Sequence, residues 1–277
     1  MIKRVVEVSS ARKHLSIQHK QLVIRDRDQE AGRVPCEDIG VLLIDHPGVT
    51  YTHSVLTELL EFGAAVVICN GQHLPAGMLL PLEGNSLQAE RFRQQLGAKK
   101  TIKKRLWQQL VRGKILHQAH VLADDEQTSD YLRGLAKRVR SGDPENLEAQ
   151  ASRRFWRAYL QGIDFRRERN GVWPNAFLNY GYMVMRAAVA RALCSAGLLP
   201  AVGIHHCNKY NPFCLADDVV EPFRGFVEKK VKIICENKFE GTELSKEVKA
   251  HLLEILFEKT TIGNFSGPLM IGLHRTA

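Results

Sequence analysis

The texture of the chain changes once, near Pro81–Ser86, and that change limits the fold more than any other feature. Before it, short segments rich in β-branched residues follow one another: Val5–Val8, Leu15–Ile17, Leu22–Ile24, Gly40–Ile44, Ala64–Ile68 and Leu74–Met78. Asp26-Arg27-Asp28, Asp45-His46-Pro47-Gly48 and Asn70-Gly71 separate them as turns. Most spacings are too short for a crossover helix, so the expectation is a small antiparallel sandwich or twisted sheet. One helix interrupts, from about Thr52 to Phe62. Thr50 or Thr52 can cap it, Val55, Leu56, Leu59, Leu60 and Phe62 give its apolar side, and Gly63 ends it. After the change, Gln, Ala, Leu and Arg replace Val and Ile, and apolar positions recur every three or four residues. Helices are predicted near 87–96, 101–122, 128–139, 144–161, 174–196, 219–235 and 245–257. The chain reads as α+β: a small N-terminal β-rich, sandwich-like domain (1–85) and a larger all-α domain (86–277).

Composition narrows the class. Hydrophobic residues make up 44% of 277, enough for a sizeable core. No apolar run approaches the length of a membrane span, and the N-terminus has no apolar stretch with a cleavage site. Six scattered cysteines (Cys36, Cys69, Cys194, Cys207, Cys214, Cys235) then point to reduced thiols in a cytoplasm. No P-loop, GxGxxG or GxSxG occurs, so nucleotide hydrolysis and α/β-hydrolase chemistry find no support.

The net charge is +9, and it is unevenly placed. Arg91, Arg93, Lys99, Lys100, Lys103, Lys104, Arg105, Arg112 and Lys114 fall in one window without an acidic residue. Arg133, Lys137, Arg138 and Arg140, then Arg153, Arg154 and Arg157, form a second group. Such helical clusters suit a phosphate backbone; the plainer alternative is a solvated helix face.

Two groups of residues could carry chemistry. Glu148 shares a helical face with Ala151, Phe155, Ala158 and Tyr159, so its carboxylate points inward, where it must be paired, protonated or metal-bound. Asp143, Pro144 and Glu145 suit the start of that helix. The second group is Gly203-Ile204-His205-His206-Cys207 with Asp218 and Glu221, three apart and thus on one helical face, with Pro222 bending that helix or forcing its start. Glu148, one histidine, Asp218 and Glu221 make a hard donor set suited to Mg²⁺ or Mn²⁺. Zinc on His205, His206, Cys207 and Cys214 is a rival, but six residues separate the cysteines. A Cys207 nucleophile lacks an evident orienting group. Asn175–Tyr182 opens a long apolar helix, from which Asn179 and Tyr180 could reach a phosphate.

These motifs together resemble one family, the CRISPR adaptation integrase, the larger of the two universal spacer-acquisition proteins. Gly142-Asp143-x₄-Glu148-x₂-Ala151 resembles its first metal-ligand motif, Asn175-Ala176-Phe177-Leu178-Asn179-Tyr180-Gly181-Tyr182 its central signature, and Gly203-Ile204-His205-His206 with Asp218-Val219-Val220-Glu221-Pro222-Phe223-Arg224 its third. The details are most similar to the type II branch. The resemblance implies a β-rich dimerisation domain and a helical, metal-dependent catalytic domain. It implies that Glu148, His206 and Glu221 hold Mg²⁺ or Mn²⁺, with Asp218 beside them. The duplicated histidine leaves His205 against His206 open by one residue, and Glu221 stands where many members have Asp. The implied activity is insertion of short foreign DNA into a CRISPR repeat by attack of a 3′-hydroxyl. The implied partners are double-stranded DNA, a second copy of the chain and a small ferredoxin-like protein bridging two dimers. Lys99, Lys100, Lys103, Lys104, Arg105, Arg138, Arg153 and Arg154, with Asn179 and Tyr180, would contact DNA. Two other readings remain: a non-catalytic DNA-binding scaffold with structural acidic pairs, and a stand-alone nuclease for branched repair intermediates.

Overall fold

The computed structural model describes residues 3–9, 12–71, 75–163, 165–168, 171–236 and 242–277. Leu74, expected to open a strand, lies outside them, as do Met1 and Ile2. The chain is strand-rich at its N-terminal end and mainly helical beyond it, a mixed α+β fold. The N-terminal elements are β1 (Arg4–Val8), β2 (Lys13–Gln18), β3 (Gln21–Asp26), β4 (Gln29–Pro35), β5 (Ile39–Ile44), β6 (Thr50–Tyr51), α1 (His53–Glu61), β7 (Ala65–Cys69) and β8 (Pro75–Leu79).

They form two four-stranded sheets, ordered β1-β5-β7-β8 and β4-β3-β2-β6. The antiparallel expectation holds for β2-β3-β4 and for β7-β8, but β1-β5, β5-β7 and β2-β6 are parallel. The reason is α1. It carries the chain back between β5 and β7, which lets them run side by side in one direction. β5 (Ile-Gly-Val-Leu-Leu-Ile) is buried along its whole length, as a strand covered on both faces must be. The sheets share a core of Val8, Leu15, Leu22, Ile39, Leu42, Ile44 and Val66, to which α1 adds Val55 and Leu59. Gly63 follows α1 at φ +71°, the left-handed stop its sequence position suggests.

The other helices are α2 (Gln88–Leu96), α3 (Lys100–Val121), α4 (Glu126–Arg138), α5 (Leu147–Ala158), α6 (Asn175–Ser195), α7 (Cys214–Val220), α8 (Arg224–Glu236) and α9 (Lys246–Leu253). The helix expected at 219–235 is really α7 and α8, joined by a 3-10 turn, Glu221–Phe223, around Pro222, which has no N–H to continue the ladder. The expected all-helical C-terminal part also contains a hairpin, β9 (Lys259–Ile262) with β10 (Phe265–Pro268), followed by α10 (Leu269–Thr276).

The chain divides into two compact units. One gathers Met1–Arg91, Ala187–Leu198 and Leu256–Ala277; the other gathers Phe92–Arg186 and Leu199–Ile255. The spine of the second is α3, which packs on α4, α5, α8 and the 3-10 turn. Its buried stripe is Trp107, Val111, Lys114, Ile115, Gln118, Ala119 and Val121. Among the described residues no helix is long and apolar enough to cross a membrane, and the six cysteines are free.

Candidate metal centre and nucleic-acid face

Glu148 is fixed through its backbone. Gly142 adopts φ +79° and Asp143 φ +48°, a tight turn that a Cβ on Gly142 would drive against the Lys104 side chain. The Asp143 carboxylate then accepts from the N–H groups of Leu147 and Glu148, at 2.9 Å each. The helix therefore starts at Leu147 rather than at Pro144; Asn146 holds the N-cap position, and Asp143 satisfies the first two N–H groups from further back. Glu148 Oε1 meets the Lys114 ammonium and accepts from Ser152 Oγ at 3.3 Å.

Glu221 opens the 3-10 turn and is buried. Its Oε2 lies 2.6 Å from Lys114 Nζ, and its Oε1 accepts from Arg224 at 3.2 Å. Lys114 thus joins two carboxylates that come from separate elements. Burial pushes the Glu221 carboxyl up, but Arg224 and Lys114 outweigh it and hold the group at about 2.

His206 is held by other means. Asp218, fully buried on α7, accepts from the backbone N–H groups of Ile204 (2.6 Å), His205 (2.9 Å) and His206 (3.2 Å). It also bonds His206 Nδ1 at 2.6 Å. One carboxylate thereby gathers the loop and aims the ring. The hydrogen bond His206 donates to Asp218 raises the His206 pKa against the effect of burial, and the charges of Asp218, Glu221 and Asp217 add to it. The loop needs Gly203: a Cβ there would run into the His206 carbonyl oxygen and stand 2.9 Å from Asp218 Oδ2. His205 lies face to face with Trp107, 4.1 Å between centroids and 4° between planes. The duplicated histidines therefore do different things: one stacks, the other meets a carboxylate.

Asp218 spends its oxygens on these N–H donors, so it orients His206 rather than presenting a free ligand atom. Among the described residues no three His, Cys, Asp or Glu side chains are gathered in metal-holding geometry. The cysteines of the zinc alternative lie in different settings: Cys207 is exposed, and Cys214 is buried with its Sγ 3.3 Å from the Asn211 carbonyl oxygen. The donor chemistry still fits a hard divalent cation. Glu148 and Glu221 already converge on one positive charge, and an imidazole pinned through Nδ1 keeps Nε2 for a ligand.

Sequence reasoning missed Lys114 and the layer behind it. The Arg224 guanidinium sits 4.3 Å over the Tyr182 ring, and Tyr182 Oη donates to Glu228 at 2.7 Å. Tyr159 Oη donates to the Glu228 carbonyl at 2.6 Å, and burial pushes the Glu228 carboxyl up. The inward positions of these residues on their helices were the available signal.

Most of the predicted DNA contacts lie at the surface. Lys99, Lys100, Lys104 and Arg105 are exposed around the start of α3, and Arg138 and Arg153 are exposed as well. Lys103 is half-buried and donates to the Gly203 carbonyl at 3.4 Å. Arg138 pairs with Glu145 at 3.2 Å, and Arg154 donates to Thr128 Oγ1 at 3.0 Å. Asn179 is half-buried and accepts from Arg167 at 2.8 Å. Tyr180 is a correction: at 1% exposure it belongs to the core and offers no surface to a phosphate. Two residues of the basic window also turn inward, Lys114 to the carboxylates and Arg91 to the Ala196 carbonyl.

The family described as "CRISPR associated protein Cas1" matches residues 6–266. The chain is 42% identical over 252 residues to the "CRISPR-associated endonuclease Cas1" of Neisseria meningitidis, covering 90% of this chain and 81% of that one. It is 27% identical to "CRISPR-associated endonuclease Cas1 2" of Pyrobaculum aerophilum, over 93% and 92% of the two chains. Its fold is similar to that of a casposase solved with its integration product (TM-score 0.80, 18% identity, 98% of this chain and 88% of that one). It is also similar to the fold of a Cas1 protein from Thermotoga maritima (TM-score 0.74, 16% identity, 98% and 94%). The chain belongs to the Cas1 family of CRISPR-associated proteins.

Proposed function

We propose that this protein is a metal-dependent DNA endonuclease and integrase of spacer acquisition. It joins the 3′-hydroxyl of a short DNA fragment to a phosphodiester at the edge of a CRISPR repeat. Family membership and the name of the Neisseria relative support the nuclease class. The observation that carries the reading is the convergence of Glu148 and Glu221 on one cation, in the unit that also holds His206 on Asp218.

Glu148, His206 and Glu221 are the ligands in this reading, and the cation is Mg²⁺ or Mn²⁺. When bound, it supplies a Lewis acid that stabilises charge developing on phosphoryl oxygens. Asp218 keeps the proton on His206 Nδ1 and so leaves the Nε2 lone pair outward, while making the imidazole more basic. Arg224 keeps Glu221 ionised from behind. Lys99, Lys100, Lys103, Lys104, Arg105, Arg138, Arg153 and Arg154 track backbone phosphates without reading bases. The β-rich region 1–85 makes the homodimer, and a small ferredoxin-like partner bridges two dimers. Solved neighbours include a "Cas6-RT-Cas1--Cas2 complex", which supports a partnered assembly. The reactions take place in the cytoplasm.

A branched DNA that mimics a half-integrated fragment tests this without the partner. Resolution of the branch is expected with Mn²⁺ or Mg²⁺, none with EDTA, and none in His206→Ala. The scaffold reading keeps one observation, that Lys114 already neutralises both carboxylates. It predicts tight DNA binding that ignores metal, and that result would displace the integrase reading. Neutralising three of Lys99, Lys100, Lys103 and Lys104 should flatten the salt dependence of DNA binding by about 2–3 log units per log unit of salt.

A further inference from the structure

We propose that Lys114 is the internal cation of the Glu148–Glu221 pair, holding both carboxylates at a shared point without metal and leaving that point when a divalent cation binds. This rests on the reading of Glu148 and Glu221 as metal ligands. Three observations carry it.

Lys114 is 7% exposed and lies on the buried stripe of α3, not on its solvated face. A lysine in that position requires a partner, and it has two: Glu148 Oε1, and Glu221 Oε2 at 2.6 Å. Both carboxylates approach one nitrogen, so without it two negative charges would face each other in a partly desolvated space. The oxygens that bond the ammonium are the ones a hard divalent cation would need at about 2.0–2.3 Å. The ammonium and the cation cannot both hold them.

Exchange must come from the side chain alone, because the backbone around it is pinned. A Cβ on Gly113 would stand 3.0 Å from Pro222 Cβ, so α3 lies close against the 3-10 turn. His117 Nδ1 bonds the Pro222 carbonyl oxygen at 3.0 Å, one turn further along. The four-carbon stem of lysine has the freedom that the helix lacks.

Two measurements test it. The first is Mn²⁺ affinity, read from the electron paramagnetic resonance of free Mn²⁺, in wild type, Lys114→Met and Glu148→Gln. Lys114→Met should bind Mn²⁺ at least about tenfold more tightly, because a competing positive charge is gone. Glu148→Gln should lose affinity. Equal or weaker binding in Lys114→Met, with binding lost in Glu148→Gln, would overturn the role of Lys114 and leave the site standing. Wild-type affinity in Glu148→Gln would remove the site itself, and this proposal with it. The second measurement needs no variant. Reductive methylation of the wild-type protein, read by mass spectrometry, should modify Lys114 several-fold faster with Mn²⁺ than with EDTA, while Lys99 and Lys100 stay constant. An unchanged rate at Lys114 would overturn its displacement.

Discussion

The two halves of the candidate centre are held in opposite ways. Glu148 and Glu221 are tied to each other only through a side-chain cation, Lys114. His206 is tied to Asp218 through three backbone N–H groups and its own ring nitrogen. The first arrangement is exchangeable, since another cation can take the same oxygens. The second is not, since the backbone donors cannot leave. A centre built this way keeps its imidazole in place while the cation between its carboxylates can change.

The largest effects should fall on Glu148 and His206, one proposed ligand from each half. Glu148→Ala and His206→Ala should each lower branch resolution by at least about 10²-fold, measured at saturating Mn²⁺, with the fold retained. Equal activity in either would remove that half from the chemistry. Gly203→Ala breaks only the histidine half. Its Cβ collides with the His206 carbonyl, so the loop must shift, and stability should drop by about 1–3 kcal/mol in urea unfolding. An unfolding midpoint like that of wild type would show that the cage is softer than described. Asp218→Asn keeps the shape but replaces one acceptor oxygen with a donor amide. It should cost about 10–100-fold in metal affinity and leave Lys114 as protected from methylation as in wild type.

The smallest effect sharpens the carboxylate half. Glu228 has its folded pKa raised by burial above the ordinary 4.5. A raised carboxyl favours folding while it is protonated, so its contribution is full below about 4.5 and is lost as pH rises through the folded value. Glu228→Gln removes that loss. The stability difference between variant and wild type should therefore move in the variant's favour from pH 4.5 upward, read by urea midpoints at several pH values. A difference independent of pH would mean that Glu228 stays ionised beside Arg224.

The helices were largely legible because period and capping are local signals: α3 and α6 fall within a residue of their expected ranges. The parallel pairing of β5 with β7 was not, because it depends on where α1 returns the chain. β4 was missed because Gln-Glu-Ala-Gly-Arg-Val-Pro is a mostly exposed edge strand with one β-branched residue. The glycine and aspartate framing His206 were visible in sequence, but the four-fold bonding of Asp218 was not, since it depends on a loop folding back onto α7. Lys114 was hidden by its company. It sits in a basic window that reads as a surface, although its spacing from Val111 and Gln118 places it on the buried stripe.

The anchoring of His206 has a consequence for how the protein can vary. The ring is fixed at Gly203 and Asp218, while residues 207–210, which leave the cage, are all exposed. Tyr210 is 81% exposed, and it lines with Lys103 and Lys209 a cleft of about 660 Å³ that also touches His206. This stretch is a turn held by Asn208, which accepts from the N–H groups of Tyr210 and Asn211 at 3.0 Å each, and its exposed side chains take no part in holding the imidazole. Substitutions at Lys209 and Tyr210 would change the wall of that cleft and leave the bonds that hold the His206 ring as they are.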